Sequence, residues 1–287
     1  MNQTFVILQV LNGVTFGSLL FLVASGFTLI FGLMRVANLT HGVLYLMAGY
    51  TALTIVRGGG NFFLAVLAAI AVAGVLGLVI ERTLLHRVRG NVLSEVLMTV
   101  GIGFILADLA LMLFGGDPQT IRAPAMFTGT MRIFGVPYPR FRLVTLGFAL
   151  AILAGLWIVQ NRTRIGAIVR AGVDDPEMVS ALGINLPLVF TGVFIVGAML
   201  AGLAGVIGGS FLSLYRGADS EILLFGLVVI IIGGMGSLEG AIIGSIAVGL
   251  LDAFGKSLVP EISYFTIFGP MAIILALRPR GLFGRKD

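Results

Sequence analysis

The sequence has no cysteine, only two histidines and a single tryptophan, and 11% of its 287 residues are charged. Without cysteine there are no disulfides, no thiolate metal sites and no cysteine nucleophile. His41 and His86 lie on different segments, too few and too far apart in sequence for a histidine metal site. There is no phosphate-binding G-x-x-x-x-G-K-[ST] loop, no H-E-x-x-H motif and no Ser-His-Asp set in one neighbourhood. Catalysis, ATP binding and metal binding by this chain itself are therefore not expected. The scarcity of charge also argues against a water-facing surface, because soluble domains carry about a quarter charged residues. What is abundant is apolar: 58% of the residues, with a mean hydropathy of +1.10. The matching solvent is a bilayer.

The formal net charge of +5 comes from basic residues scattered between apolar segments. Nucleic-acid binding needs a clustered basic face, so these charges read as topology signals and lipid headgroup contacts. Met1 to Thr4 carries no basic n-region of a secretory signal, so the first apolar segment is expected to be retained.

Apolar runs fall at 5–34, 41–57, 61–80, 94–114, 143–160, 187–214, 222–235, 239–255 and 263–277. A helical span needs roughly 20 residues, which predicts an all-α polytopic bundle of about eight to nine spans in one domain, residues 1–287. The first run is long enough to break, and 222–235 is short enough to be re-entrant or broken. The stretches 35–40, 81–93 and 161–186 and the C-terminus hold most of the basic residues, among them Arg35, Arg82, Arg89, Arg170, Arg280, Arg285 and Lys286. The positive-inside rule then puts these stretches and the C-terminus in the cytoplasm and the N-terminus outside. The loop 115–142, rich in proline, falls on the extracytoplasmic face. No stretch is large enough to fold as a soluble domain, so nucleotide hydrolysis would have to reside in another polypeptide.

Small residues recur at four-residue spacing in three places: Gly197, Ala201, Gly205 and Gly209; Gly236, Gly240 and Gly244; and Ala69, Ala73 and Gly77. This spacing supports close helix crossings, and bundle packing is its plain explanation. Carboxylates within apolar runs are few. Asp108, Glu239 and Asp252 are candidates, with Glu95 near a helix start, and interfacial or structural roles suit them better than an ion-coupling site.

Three segments carry the functional reading. In Ser25–Gly42 an apolar helix gives way to a polar cluster, Asn38, Thr40 and His41. Asn38 or Thr40 suits the N-cap of the next helix, and the same Gly-flanked break also suits the lining of a transport path. In Thr163–Asn185, Asp174 or Asp175 precedes Pro176, Asp174 and Glu177 have capping-box spacing, and Gly183 is a natural stop. A helix of about two turns is expected there, with Met178 and Leu182 on one face. That face packs either on its own bundle or in a partner's groove. In Gly233–Gly244 a glycine-rich stretch with Gly233, Gly234, Gly236, Ser237 and Glu239 separates two apolar runs, either as a tight turn or as a broken helix near a transport route.

These segments in this order resemble the permease subunits of branched-chain amino acid ABC importers, in particular the H-type of their two permease proteins. The resemblance rests on Thr28-Leu-Ile-Phe-Gly-Leu-Met-Arg-Val-Ala-Asn38 with His41-Gly42, on Glu81-Arg82 with the basic stretch to Arg89-Gly90, on Arg170-Ala171, Asp175, Ala181 and Gly183-Ile184, and on the Gly-Gly-x-Gly-Ser-x-x-Gly-Ala block. It runs essentially end to end.

The resemblance implies a division of labour in the bacterial inner membrane. A second, homologous permease subunit would complete the pathway, two cytoplasmic ATPase subunits would hold ATP and magnesium, and an extracytoplasmic binding protein would deliver leucine, isoleucine or valine. This chain would bind no cofactor and no nucleic acid, and lipid would surround it. The segment 161–186 resembles the cytoplasmic coupling loop, with Arg170, Asp175, Ala181 and Gly183 at matching positions and Pro176, Glu177, Met178 and Leu182 on the same short helix. Related permeases move urea, short amides or other amino acids. An ion-coupled carrier using Asp108 and Glu239 is the reading from a different class.

Overall fold

The computed structural model describes residues 2–34, 38–279 and 281–284. Arg35, Arg280, Arg285 and Lys286, used above for orientation, lie outside the described residues. In chain order the helices are α1 (Gln3–Met34), α2 (His41–Arg57), α3 (Phe62–Val79) with a π-helical continuation over Ile80–Leu85, α4 (His86–Val88), α5 (Val92–Phe114), α6 (Arg140–Arg162), α7 (Arg164–Asp174), α8 (Pro176–Ala181), α9 (Leu186–Phe211), α10 (Ala218–Gly233), α11 (Leu238–Leu258) and α12 (Ser263–Leu277). Between α5 and α6 a hairpin pairs β1 (Thr130–Ile133) with β2 (Val136–Pro139).

Every apolar run of the sequence is a helix, nine in all among the described residues, in keeping with the eight to nine expected. Seven helices among the described residues are long and apolar enough to cross a membrane. The two left out are α2 and α10, of 17 and 16 residues. Both are largely buried, so they need not present a full-length face to lipid.

α1 is the central helix, packed on α6, α9, α10 and α11. It runs antiparallel to α11: a Cβ on Gly13 would lie 2.8 Å from the Leu250 Cα, and one on Gly17 2.7 Å from the Ser245 carbonyl oxygen. The three small-residue rows do the same work, bringing backbones together where any larger side chain would hold them apart. Gly197 faces Gly26 and Ile30 on α1, Gly205 faces Tyr45 on α2, and Gly77 faces Ala198. Gly240 and Gly244 face Gly233 and Val229 across the α10–α11 crossing, and Gly236 lies against Gly32.

The bundle has two ends. At one, Tyr138 of β2 and Arg142 of α6 bind Asn12 near the start of α1. At the other, Glu81 meets Thr191 at the start of α9, the α7–α8 segment lies between α6 and α9, and Gly281 packs on Gly234 at the end of α10. The N-terminus and residues 115–142 therefore share one end, while 161–186 and the last described residues share the other.

Two helices start inside the bundle. His41 Nε2 donates to the Val23 carbonyl oxygen at 3.0 Å, and Val23 lies eleven residues before the end of α1, about 16 Å of helix rise. The chain thus returns deep into the protein before α2 begins. The start of α10 abuts it, because a Cβ on Gly42 would overlap the Asp219 carbonyl oxygen.

Candidate functional site

The α8 segment forms from local signals. Asp175 is the N-cap, its side chain accepting from the Met178 amide at 2.9 Å, with Pro176 at the first helical position. This puts Glu177 in the first turn without a capping box: the amide three residues after the cap belongs to Met178, so the Asp174–Glu177 spacing is one residue out of register. Gly183 stops the helix at φ +81°, donating to the Ser180 carbonyl, while the Ile184 amide donates to Val179 O. Val179 is buried and holds α8 on the bundle. Met178 and Leu182 are 57% and 72% exposed and face away. Glu177, Ala181 and Gly183 are exposed beside them. Arg170 lies one helix back and donates to the Gln160 carbonyl, tying α7 to the end of α6. Thr163 caps α7 by accepting from the Gly166 amide at 3.2 Å.

The second group, Asn38, Thr40 and His41, lies in the interior. Capping is not its role. Thr40 stands at the N-cap of α2 with no side-chain capping bond, and its amide and hydroxyl both donate to Asn38 Oδ1, at 3.1 and 2.5 Å. The polar turn closes on itself because it is shut away from water, where an unmade hydrogen bond is expensive. Even so, Thr28 Oγ1, Asn38 Nδ2, His41 Nδ1 and Tyr45 OH are buried with no hydrogen-bond partner among the described residues. The middle of the bundle retains free hydrogen-bonding capacity on α1 and at the start of α2.

The third group is the turn from α10 to α11. Gly234 and Gly236 take positive φ values of +107° and +80°. Ser237 caps α11 by accepting from the Gly240 amide at 3.0 Å. Gly233 and Gly234 are buried, and Gly236 and Glu239 are exposed. The Leu282 and Phe283 amides donate to the carbonyls of Ile232 and Gly233, so the C-terminal segment lies across this turn. The structure puts this group at the α8 end of the bundle and Asn38, Thr40 and His41 deeper along α1. It does not join them into one cluster.

Two clusters bring together residues that the sequence names only separately or not at all. Glu81 is fully buried, pairs with Arg89, and accepts from Thr191 Oγ1 at 2.7 Å, while Arg89 stacks over the Phe190 ring at 4.7 Å. Glu81 lies in the π-helical turn and Arg89 just past the end of α4. The other is a small cavity lined by Tyr50, Asp108, Arg216, Gly217 and Asp219 with Leu46, Ala107, Ala110 and Leu111. A sequence signal for it existed: Arg216 and Asp219 sit between two apolar runs, at the head of one too short to span. Of the other carboxylates, Asp252 pairs with Lys256 at 2.8 Å and Glu95 accepts from the Gly90 amide at 2.8 Å. Both are structural contacts. No group of three or more His, Cys, Asp or Glu among the described residues is arranged to hold a metal ion.

A family described as branched-chain amino acid transport system / permease component matches residues 9–277. The chain is 28% identical over 294 residues to the high-affinity branched-chain amino acid transport system permease protein BraD of Pseudomonas aeruginosa, covering 97% of this chain and 96% of that protein. It is 28% identical over 298 residues, with the same coverage, to the corresponding permease protein LivH of Escherichia coli. The ribose import permease protein RbsC of Escherichia coli is similar at 27% identity over 266 residues, covering 88% of this chain and 79% of that protein.

Proposed function

The chain belongs to the family of branched-chain amino acid transport system permease components, and from that premise we propose that it is one membrane subunit of an ATP-driven importer for leucine, isoleucine and valine in the bacterial inner membrane. Its partners in this reading are a second permease, two cytoplasmic ATPase subunits and an extracytoplasmic binding protein. The α8 end faces the cytoplasm and the hairpin end faces the binding protein.

The observation that carries the proposal is α8. It is a capped, two-turn helix that buries Val179 against its own bundle and turns Met178 and Leu182 outward. An isolated helix this short is marginal in water, and an exposed apolar face on a polar loop is a docking feature. Seated in an ATPase subunit, α8 is displaced when the ATPase dimer closes on ATP. α7 and α9, which flank it in the chain, carry that displacement to α6 and to the central α1. The bundle then alternates between inward-open and outward-open states, and ATP drives it because the nucleotide binds the two states unequally. Arg170 keeps α7 fixed to α6 during the movement, so the coupling segment moves with the spans rather than alone.

The test is to tag the C-terminus, purify the chain in mild detergent from its host and identify what accompanies it. Co-purification of a second permease and ATPase subunits, with ATP-dependent leucine uptake after reconstitution, is the expected result. A chain that purifies alone while other ABC complexes stay intact overturns the proposal.

A further inference from the structure

The proposed importer needs a place for a zwitterion inside a membrane, and the cavity at the start of α10 has the chemistry for one. Asp108 is six residues before the end of α5, about 9 Å of helix rise inside it. Arg216 and Asp219 flank the start of α10, which abuts α2 in the interior. Gly217 leads into α10 with no side chain capping its first amides, and the first turn carries Asp219 and Glu221. The Tyr50 ring, stacked on Phe114 at 4.3 Å, forms one wall. The Asp219 carboxylate accepts from the Ser220 hydroxyl at 3.4 Å, and no ion pair among the described residues joins Asp108, Arg216 or Asp219.

Charged groups at this depth do not face hydrocarbon; they line water-filled paths or meet partners. Asp108 and Arg216 are nevertheless exposed on the surface of this chain, beside the exposed apolar residues Phe104, Ile105 and Met112 of α5. We propose that this face lines the translocation path and that Asp108, Arg216 and Asp219 hold the charged ends of the amino acid in transit, the carboxylates taking its ammonium and Arg216 its carboxylate. The cavity holds about 40 Å³. One water needs roughly 10–15 Å³ on the same measure, so the cavity receives the head group and not a whole amino acid. The aliphatic side chain lies across the path, against the second permease.

This inference rests on the importer reading, and the experiment separates the two. The full complex, wild type or carrying Asp108→Asn, Asp219→Asn or Arg216→Gln, is reconstituted in liposomes with its binding protein. Leucine uptake and ATPase activity are measured side by side. Each variant is expected to lose about tenfold or more of its uptake, the scale of a lost hydrogen bond to a charged group, while complex assembly and ATPase stimulation persist. Arg216→Lys is expected to restore part of the loss. If the wild-type complex imports leucine and all three variants do so equally well, the head-group site is wrong and the importer reading stands. Loss of uptake together with assembly in every variant assigns these residues a structural role and overturns the proposal. If the wild-type complex imports no branched-chain amino acid, the importer reading itself fails.

Discussion

Thr191 Oγ1 donates to Glu81 Oε2 at 2.7 Å, joining the π-helical continuation of α3 to the first turns of α9. Glu81 has its other oxygen on Arg89, so one buried carboxylate ties three pieces of chain together at the α8 end of the bundle. Removing one partner of a buried pair costs up to about 3–5 kcal/mol, and only the half-exposed Arg82, 4.0 Å from Glu81, would remain to offset the charge. Arg89→Ala is therefore expected to lower the thermal stability of the purified complex sharply. The double variant Glu81→Leu/Arg89→Leu, which removes both charges, is expected to lose less. A melting series in detergent distinguishes the two orders, and equal or reversed losses would mean the pair is not energetically coupled.

The exposed and buried faces of α8 make opposite predictions. Met178 and Leu182 have little to lose within the chain itself, so Met178→Asp with Leu182→Asp should leave folding within about 0.5 kcal/mol. The same variant should abolish co-purification of the ATPase and ATP-driven uptake. Val179→Asp should instead detach α8 from the bundle, because it buries a charge without a partner. Retained ATPase binding in the Met178/Leu182 variant would end the docking argument.

The cap of α8 can be tested on its own. Asp175→Ala removes the acceptor of the Met178 amide and should destabilise the helix locally by about 1 kcal/mol. Hydrogen exchange at Val179 and Leu182, whose amides bond to Asp175 and Met178 carbonyls, should accelerate, while the long spans stay protected. No change at those amides would show that packing by Val179 alone holds the segment.

How far these features could be read in advance follows from how local their causes are. The spans announce themselves because most apolar runs are long against the thickness of a bilayer. α8 was visible because Asp175-Pro176 and Gly183 act through their own backbone. The interior start of α2 was not visible. Asn38 and Thr40 carry the composition of a cap, and only the return of the chain to Val23 makes them a closed buried turn. The pairing of Glu81 with Arg89 joins a π-helical turn to the chain past α4, and no periodicity announces it. Within 115–142, Pro137 and Pro139 read as breakers, yet a two-stranded hairpin has only edge strands, where proline is tolerated. Val136 and Tyr138 alternate inward there, and Tyr138 reaches Thr15 at 2.7 Å.

The glycines divide into those that packing requires and those it does not. At Gly205 an added Cβ would overlap the Tyr45 carbonyl oxygen, a backbone atom that cannot step aside. Gly205→Ala must therefore push α2 away from α9 and should cost about 1–3 kcal/mol, as overpacked cores do. It should also disturb uptake, since α2 carries the interior polar turn at its start. At Gly101, in the middle of α5, an added Cβ meets nothing within 4 Å. Gly101→Ala should leave stability unchanged or raise it by about 0.5–1 kcal/mol, because alanine loses less backbone freedom in a helix. Thermal melting of the two variants in the same detergent makes the comparison, and a tolerant Gly205 would mean that the α2–α9 contact is looser than the structure describes.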